Sequence, residues 1–288
     1  MVKPRSPLAA PPGTREANGA TGASGGRRPG FPAALPAWGG AGAKPSAALS
    51  TPAASRGRTP KALGGELAPA VAGVGLDSAA VRAAMVRRLA QQGLAPEAVL
   101  QAFERVERHR FVDSGLVAQA YEDTSLPIGW GQTISKPSVV ARMLGLLCEG
   151  RALPLGRVLE IGTGCGYQAA LLAHLCREVY SMERLRPLHE RARENLRPLR
   201  IPNVHLIFGD GTAGYPKGAP YAGIIAAAGG ADIPTPWLEQ LAVGARLVAP
   251  AELAPGRQSL VVVDRTAVGY ERRVLEGVWF VPLKSGVA

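Results

Sequence analysis

Val158-Leu159-Glu160-Ile161-Gly162-Thr163-Gly164-Cys165-Gly166-Tyr167 reads as a buried strand that breaks into a glycine turn and then opens a helix. Glycines at 162, 164 and 166 let the backbone turn tightly and approach a ligand at distances that a Cβ would obstruct. In the dinucleotide fingerprint the glycines run G-x-G-x-x-G, and amides at the helix start cradle a pyrophosphate. Here the spacing is G-x-G-x-G, and Glu160 stands two residues before the first glycine. A carboxylate in that place repels phosphate and attracts the ammonium of an amino-acid-like cofactor, which favours S-adenosylmethionine over NAD.

Two further acids fall in register with this turn. Helical apolar spacing over Tyr167 to Cys176 is followed by Glu178-Val179-Tyr180-Ser181-Met182-Glu183, a short strand ending in a carboxylate. Glu183 lies 21 residues past Gly162, the distance at which a ribose-binding acid falls in a βαβ unit. Val204-His205-Leu206-Ile207-Phe208 then runs into Gly209-Asp210-Gly211 and again sets a carboxylate at a strand's carboxyl end, the edge where open α/β sheets bind ligands. The plainer role for Glu183 and Asp210 is that of turn or capping acids.

Working outward, residues 1–75 differ in kind from the rest. They hold 14 Gly, 11 Pro and 18 Ala, with Phe31 and Trp38 as the only aromatics. Such a stretch buries too little apolar surface to offset chain entropy, so a disordered tail is expected there, with the folded domain spanning 76–288. The tail also carries nine Lys and Arg against Glu16 and Glu66, which leaves it with most of the chain's net charge of +11. A basic arm of this kind can meet a polyanion, but it lacks the interleaved aromatics of a single-strand binder, and a solvated extension without a specific nucleic-acid partner is the expectation.

No apolar run nears the roughly 18 to 20 residues that span a bilayer, and no secretory apolar region follows the start. The sequence therefore predicts a cytoplasmic protein with no membrane contact. Cys148, Cys165 and Cys176 lack metal-ligand spacing and read as reduced structural thiols. His109, His174, His189 and His205 show no Ser and Asp arranged around them as a triad. No metal site is expected.

The fold class read from the pattern is α/β. Asp77 is placed as the N-cap of a helix ending at Gly93, and Pro96 begins a second helix to about Glu107, giving an N-terminal helical cap. Residues 122–135 read as an extended loop, and Pro137 starts a helix to about Cys148. From Arg157 strands and helices alternate: a strand to Ile161, a helix, a strand to Glu183, a helix to about Leu199, and a strand to Phe208. A strand Tyr221 to Ala226, a helix to Leu241 and a strand Arg246 to Ala249 follow. This is the doubly wound, mostly parallel Rossmann-like pattern, with an antiparallel finish over Ser259 to Asp264 and Val274 to Val281.

Thr124-Ser125-Leu126-Pro127-Ile128-Gly129-Trp130-Gly131-Gln132-Thr133-Ile134-Ser135-Lys136-Pro137, together with the glycine turn, resembles the protein-L-isoaspartate O-methyltransferase family. The likeness continues through Ser181-Met182-Glu183-Arg184, Gly209-Asp210-Gly211 and Phe280-Val281-Pro282-Leu283, and covers about residues 77–284. The resemblance implies a repair enzyme that methylates the free carboxylate of L-isoaspartyl residues in damaged proteins and peptides. The ester then closes spontaneously to a succinimide that can reopen as aspartate. It also implies Ser135 as the catalytic residue, with Thr133, Ile134, Glu160, Gly162, Thr163, Gly164, Gly166, Glu183, Asp210 and Gly211 around S-adenosyl-L-methionine. A monomer is expected. The chain departs from the family pattern at Ala222, at Ala226-Ala227 and at Pro250-Ala251, none of which matches a catalytic position.

The chemistry is consistent with these residue types. A carboxylate, with a reference pKa near ~4, is already ionised at neutral pH, so methyl transfer to it needs alignment rather than a general base. A serine hydroxyl orients it through one neutral hydrogen bond, whereas an arginine fork would bind both oxygens and blunt their nucleophilicity. Ser135 has a second available role, as a cap for the helix opened by Pro137. Two other readings use the same turn: a methyltransferase acting on RNA or a small molecule, and a cofactor-binding module without turnover.

Overall fold

The computed structural model describes residues 79–288. The tail expected at 1–75 and the Asp77 cap lie outside the described residues. The elements in chain order are α1 (Ala79–Gln91), α2 (Glu97–Arg105), β1 (Leu126–Gly129), β2 (Gln132–Ile134), α3 (Pro137–Cys148), β3 (Leu155–Ile161), α4 (Tyr167–Ala173) and β4 (Cys176–Glu183). Then come α5 (Arg186–Leu196), β5 (Val204–Phe208), β6 (Tyr221–Ala226), α6 (Thr235–Glu239), β7 (Leu241–Ala254), β8 (Arg257–Arg265) and β9 (Tyr270–Val278).

Seven strands form one sheet in the order β5-β4-β3-β6-β7-β8-β9. The first five are parallel, and β8 and β9 complete the sheet as antiparallel neighbours. From β3 the chain steps outward through β4 and β5, then returns to the opposite side of β3 as β6. At that reversal of direction the connections leave β3 and β6 on opposite faces, which opens a crevice at the strands' carboxyl ends.

Strand alternation divides the core between the two faces. Val158, Ile225, Val248 and Val262 point to the side covered by α1 to α4, while Leu159, Ile224, Leu247 and Val261 point to the side of Trp237. Both faces are covered, which is why the central strands read as nearly continuous apolar runs. The α1–α2 connection lies directly on α3: a Cβ at Gly145 would stand 2.5 Å from the Leu94 carbonyl oxygen. Among the described residues no helix is long and apolar enough to cross a membrane, and all three cysteines are buried and free.

Four expectations change, one of them the last strand, which runs Tyr270–Val278 rather than Val274 to Val281. The stretch read as an extended loop contains the antiparallel β1–β2 hairpin, with Leu126 opposite Ile134. The helix expected up to Leu241 is reduced to Thr235–Glu239, because Gly229, Gly230 and Pro234 break the segment before it. β7 extends far beyond Arg246 to Ala249, since pairing with β8 carries it to Ala254.

Candidate active site

β3 ends at Ile161, and the chain turns through Gly162, Gly164 and Gly166 with φ of 89°, 57° and 91°. All three lie in the left-handed region that a side chain disfavours. The N–H groups of Gly162 and Thr163 donate to the Met182 carbonyl at 2.9 and 3.1 Å, which folds the turn back onto the end of β4. There Glu183 is buried, and its carboxylate accepts the N–H of Gly164 and that of Leu185, both at 2.9 Å.

The wall opposite this turn is the β1–β2 hairpin. Gly129, Trp130 and Gly131 make its tip in three consecutive left-handed conformations, with Trp130 at φ 51°. The Arg191 guanidinium donates to the Ile128 carbonyl at 3.0 Å and so ties the hairpin to α5. Arg108, fully buried, donates to the Ala120 carbonyl at 2.8 Å and stacks 4.9 Å from the centre of the Tyr167 ring, fixing the chain that leads into the hairpin. Beyond β2, Ser135 precedes α3, and the amide of Ser138 in the first turn is accepted by Asp123 at 2.8 Å. That bond leaves the capping of α3 to Asp123 and the Ser135 hydroxyl outside it.

Between the two walls lies a cavity of about 230 Å³. Of the sequence-expected residues, Thr133, Ile134, Ser135, Gly162, Thr163, Gly164, Glu183 and Gly211 line it. Glu160, Gly166 and Asp210 do not. Gly166 turns towards α5, where a Cβ would meet Leu196 at 3.1 Å. Asp210 takes the Thr212 N–H at 2.8 Å on one carboxylate oxygen and the Gly286 N–H at 2.6 Å on the other. Its burial works to raise the pKa, but the Gly286 and Thr212 bonds outweigh it and hold the carboxyl below its ordinary value.

Glu160 lies beneath the cavity wall rather than on it. It is wholly buried beneath the turn and accepts the Ser181 hydroxyl, to which the Thr163 hydroxyl lies at 2.6 Å. Since Ser181 donates to Glu160, the Thr163 hydroxyl donates to Ser181. Burial pushes the Glu160 carboxyl up to about 8 against the opposing pull of the Ser181 bond. Burial thus disfavours the charged form of Glu160, which braces the turn from below through Ser181.

Trp130, Gln168, Leu283 and Lys284 also line the cavity and were not among the expected site residues. Gln168 carried a usable signal, as a polar residue in the first helical turn after the last glycine. Its buried side chain also faces the Glu160 carboxyl, whose pKa a Gln168 bond lowers against the effect of burial. Two left-handed glycines at the surface and a buried carboxylate at the far end suit an amino-acid-like group joined to a nucleoside. S-adenosyl-L-methionine fits that donor set.

A second cavity, of about 690 Å³, shares Thr133, Ser135, Ala227 and Val281 with the first. Ser135 therefore stands on the wall of both. One chamber suits a compact cofactor, and the larger one is open enough for a polypeptide segment.

Comparison with known proteins agrees with this geometry. A family described as protein-L-isoaspartate(D-aspartate) O-methyltransferase matches residues 80–288. A protein-L-isoaspartate O-methyltransferase of Methylibium petroleiphilum is 59% identical over 220 residues, spanning 75% of this chain and 81% of that one. One from Leptothrix cholodnii is 61% identical over 225 residues, spanning 76% and 79%. A solved protein-L-isoaspartate O-methyltransferase superimposes with a TM-score of 0.65 at 27% identity, covering 72% of this chain and 67% of that one. A Plasmodium falciparum structure, in complex with S-adenosyl-L-homocysteine, shares the fold with a TM-score of 0.63 at 23% identity, covering 70% and 98%.

Proposed function

We propose a division of labour within the crevice from the premise that the chain belongs to the protein-L-isoaspartate(D-aspartate) O-methyltransferase family: Ser135 orients the acceptor carboxylate, and the glycine-turn wall holds the cofactor. The reaction is repair methylation of L-isoaspartyl residues in damaged proteins. The cofactor is S-adenosyl-L-methionine, which supplies a methyl group on a positively charged sulfur.

What carries the assignment is the position of Ser135 on the wall common to both cavities. Its hydroxyl is not used as the cap of α3, so it can donate one hydrogen bond to the incoming carboxylate and leave the second oxygen free to attack. No residue has to remove a proton. Holding two reactants in line contributes roughly 7 to 11 kcal/mol to lowering a barrier, and that alignment is the main task left to this site.

On the cofactor side, Thr133, Ile134, Gly162, Thr163, Gly164, Glu183 and Gly211 form the contact surface. Glu183 offers the hydrogen-bonding carboxylate. Glu160, Gly166 and Asp210 support that surface from behind, through Ser181, α5 and Gly286 respectively. The catalytic unit is the domain 76–288, which acts as a cytoplasmic monomer on isoaspartyl proteins and peptides, with no nucleic acid or membrane required.

The deciding measurement is methyl transfer from labelled S-adenosyl-L-methionine to an isoaspartyl peptide and to its normal aspartyl twin. Label in the first alone supports the reading. Label in both, or in neither, overturns it.

A further inference from the structure

We propose that the larger cavity reads the residues flanking the isoaspartyl site and selects acidic ones. The inference rests on the methyl-transfer reading above and concerns which damaged sequences this enzyme serves.

The cavity wall carries Lys136 and Arg257 and no Asp or Glu. Lys136 adjoins Ser135, and Arg257 starts β8 on the far side, after the left-handed Gly256. Both are exposed, and neither makes an ion pair among the described residues. Other arginines of the domain do so: Arg142 meets Glu276 at 2.9 Å, Arg157 meets Glu178 at 2.8 Å, and Arg246 meets Asp264 at 2.7 Å. The acids near this cavity are already engaged. Glu252 accepts the Gly256 N–H at 2.8 Å, Glu276 takes Arg142, and Asp123 takes the Ser138 amide. Lys136 and Arg257 therefore present unpaired positive charge to whatever lies along this wall.

The shape of the wall points to a peptide rather than a small anion. Trp279 lines the cavity and is 85% exposed. Its neighbour Phe280 is buried, and Gln258 grips the Phe280 backbone at both ends, accepting its N–H at 2.7 Å and donating to its carbonyl at 3.2 Å. With the backbone fixed on either side of Phe280, Trp279 points outward as an exposed aromatic face of the kind that anchors side chains at protein contacts. A segment lying from Trp279 past Arg257 to Lys136 brings its reacting residue to Ser135 and its neighbours under the two cations.

The test uses the full chain with S-adenosyl-L-methionine and isoaspartyl peptides that differ only in flanking Glu, Ala or Lys. At low ionic strength kcat/KM is expected to be about fivefold higher with Glu than with Lys, as partly exposed ion pairs allow, with the difference in KM and shrinking as salt is added. Arg257→Glu should invert the order. Equal kcat/KM for all flanks, or an order that Arg257→Glu leaves intact, would overturn the inference while methylation itself stands. Absence of methyl transfer to every isoaspartyl peptide would overturn the catalytic reading and this inference with it.

Discussion

The Glu183 carboxylate accepts the backbone N–H of Gly164 at 2.9 Å, so the acid that ends β4 holds the shape of the turn that follows β3. Two segments separated by a helix are thus locked at the point where the sheet's direction of winding reverses. Glu183 has a second duty, since its other oxygen holds the Leu185 amide and orients the start of α5.

Replacing Glu183 with Ala removes the acceptor for two amides and loosens the turn. Cofactor affinity is expected to fall by about 1 to 3 kcal/mol, the usual cost of leaving buried donors unpaired. Asp210→Ala should weaken binding less, because Asp210 acts from behind the wall through Gly286. Calorimetric titration with S-adenosyl-L-homocysteine gives both values, and a larger effect at Asp210 would reverse the placement of the two acids.

Ser135→Ala is expected to lower turnover on an isoaspartyl peptide about ten- to a hundredfold, the range for one hydrogen bond to a charged group. Cofactor affinity should stay near that of the parent enzyme. Unchanged turnover would remove Ser135 from its assigned role.

The buried Glu160 makes stability depend on pH. Its folded pKa of about 8 lies above the ordinary 4.5, so the folded state keeps a proton that the unfolded chain has lost. The resulting stability is complete below about 4.5 and declines as the pH rises to about 8, where both states are ionised. Glu160→Gln should flatten that decline. Denaturant melts across this window would show it, and identical pH slopes for the two proteins would place the titration elsewhere.

Deleting residues 1–75 is expected to leave Tm and peptide methylation close to those of the full chain, because the family match begins at residue 80. Any polyanion binding through the basic tail should weaken with salt and disappear on deletion. A truncated protein that unfolds or loses methylation would move the domain boundary.

Much of the fold was legible in advance where local chemistry dictates it. Pro137 at the first helical position marked the start of α3, and Cys148 its end, as found. The strands ending at Ile161, Glu183 and Phe208 were marked by apolar runs meeting Gly or an acid. The β1–β2 hairpin was not legible, because strands of four and three residues carry almost no periodicity and its tip places a tryptophan at positive φ. The facing of Glu160 was also hidden: in a strand buried on both sides, alternation does not announce which side chain meets the ligand. Leu283 belonged to the family-like Phe280-Val281-Pro282-Leu283 run, but its place on the cavity wall, and that of Lys284, follows from the tertiary path of the chain after β9.

The shared wall of Thr133, Ser135, Ala227 and Val281 has a kinetic meaning. If cofactor and acceptor occupy the two adjoining chambers, they meet at this wall without sharing one volume, and either product is expected to leave while the other stays bound.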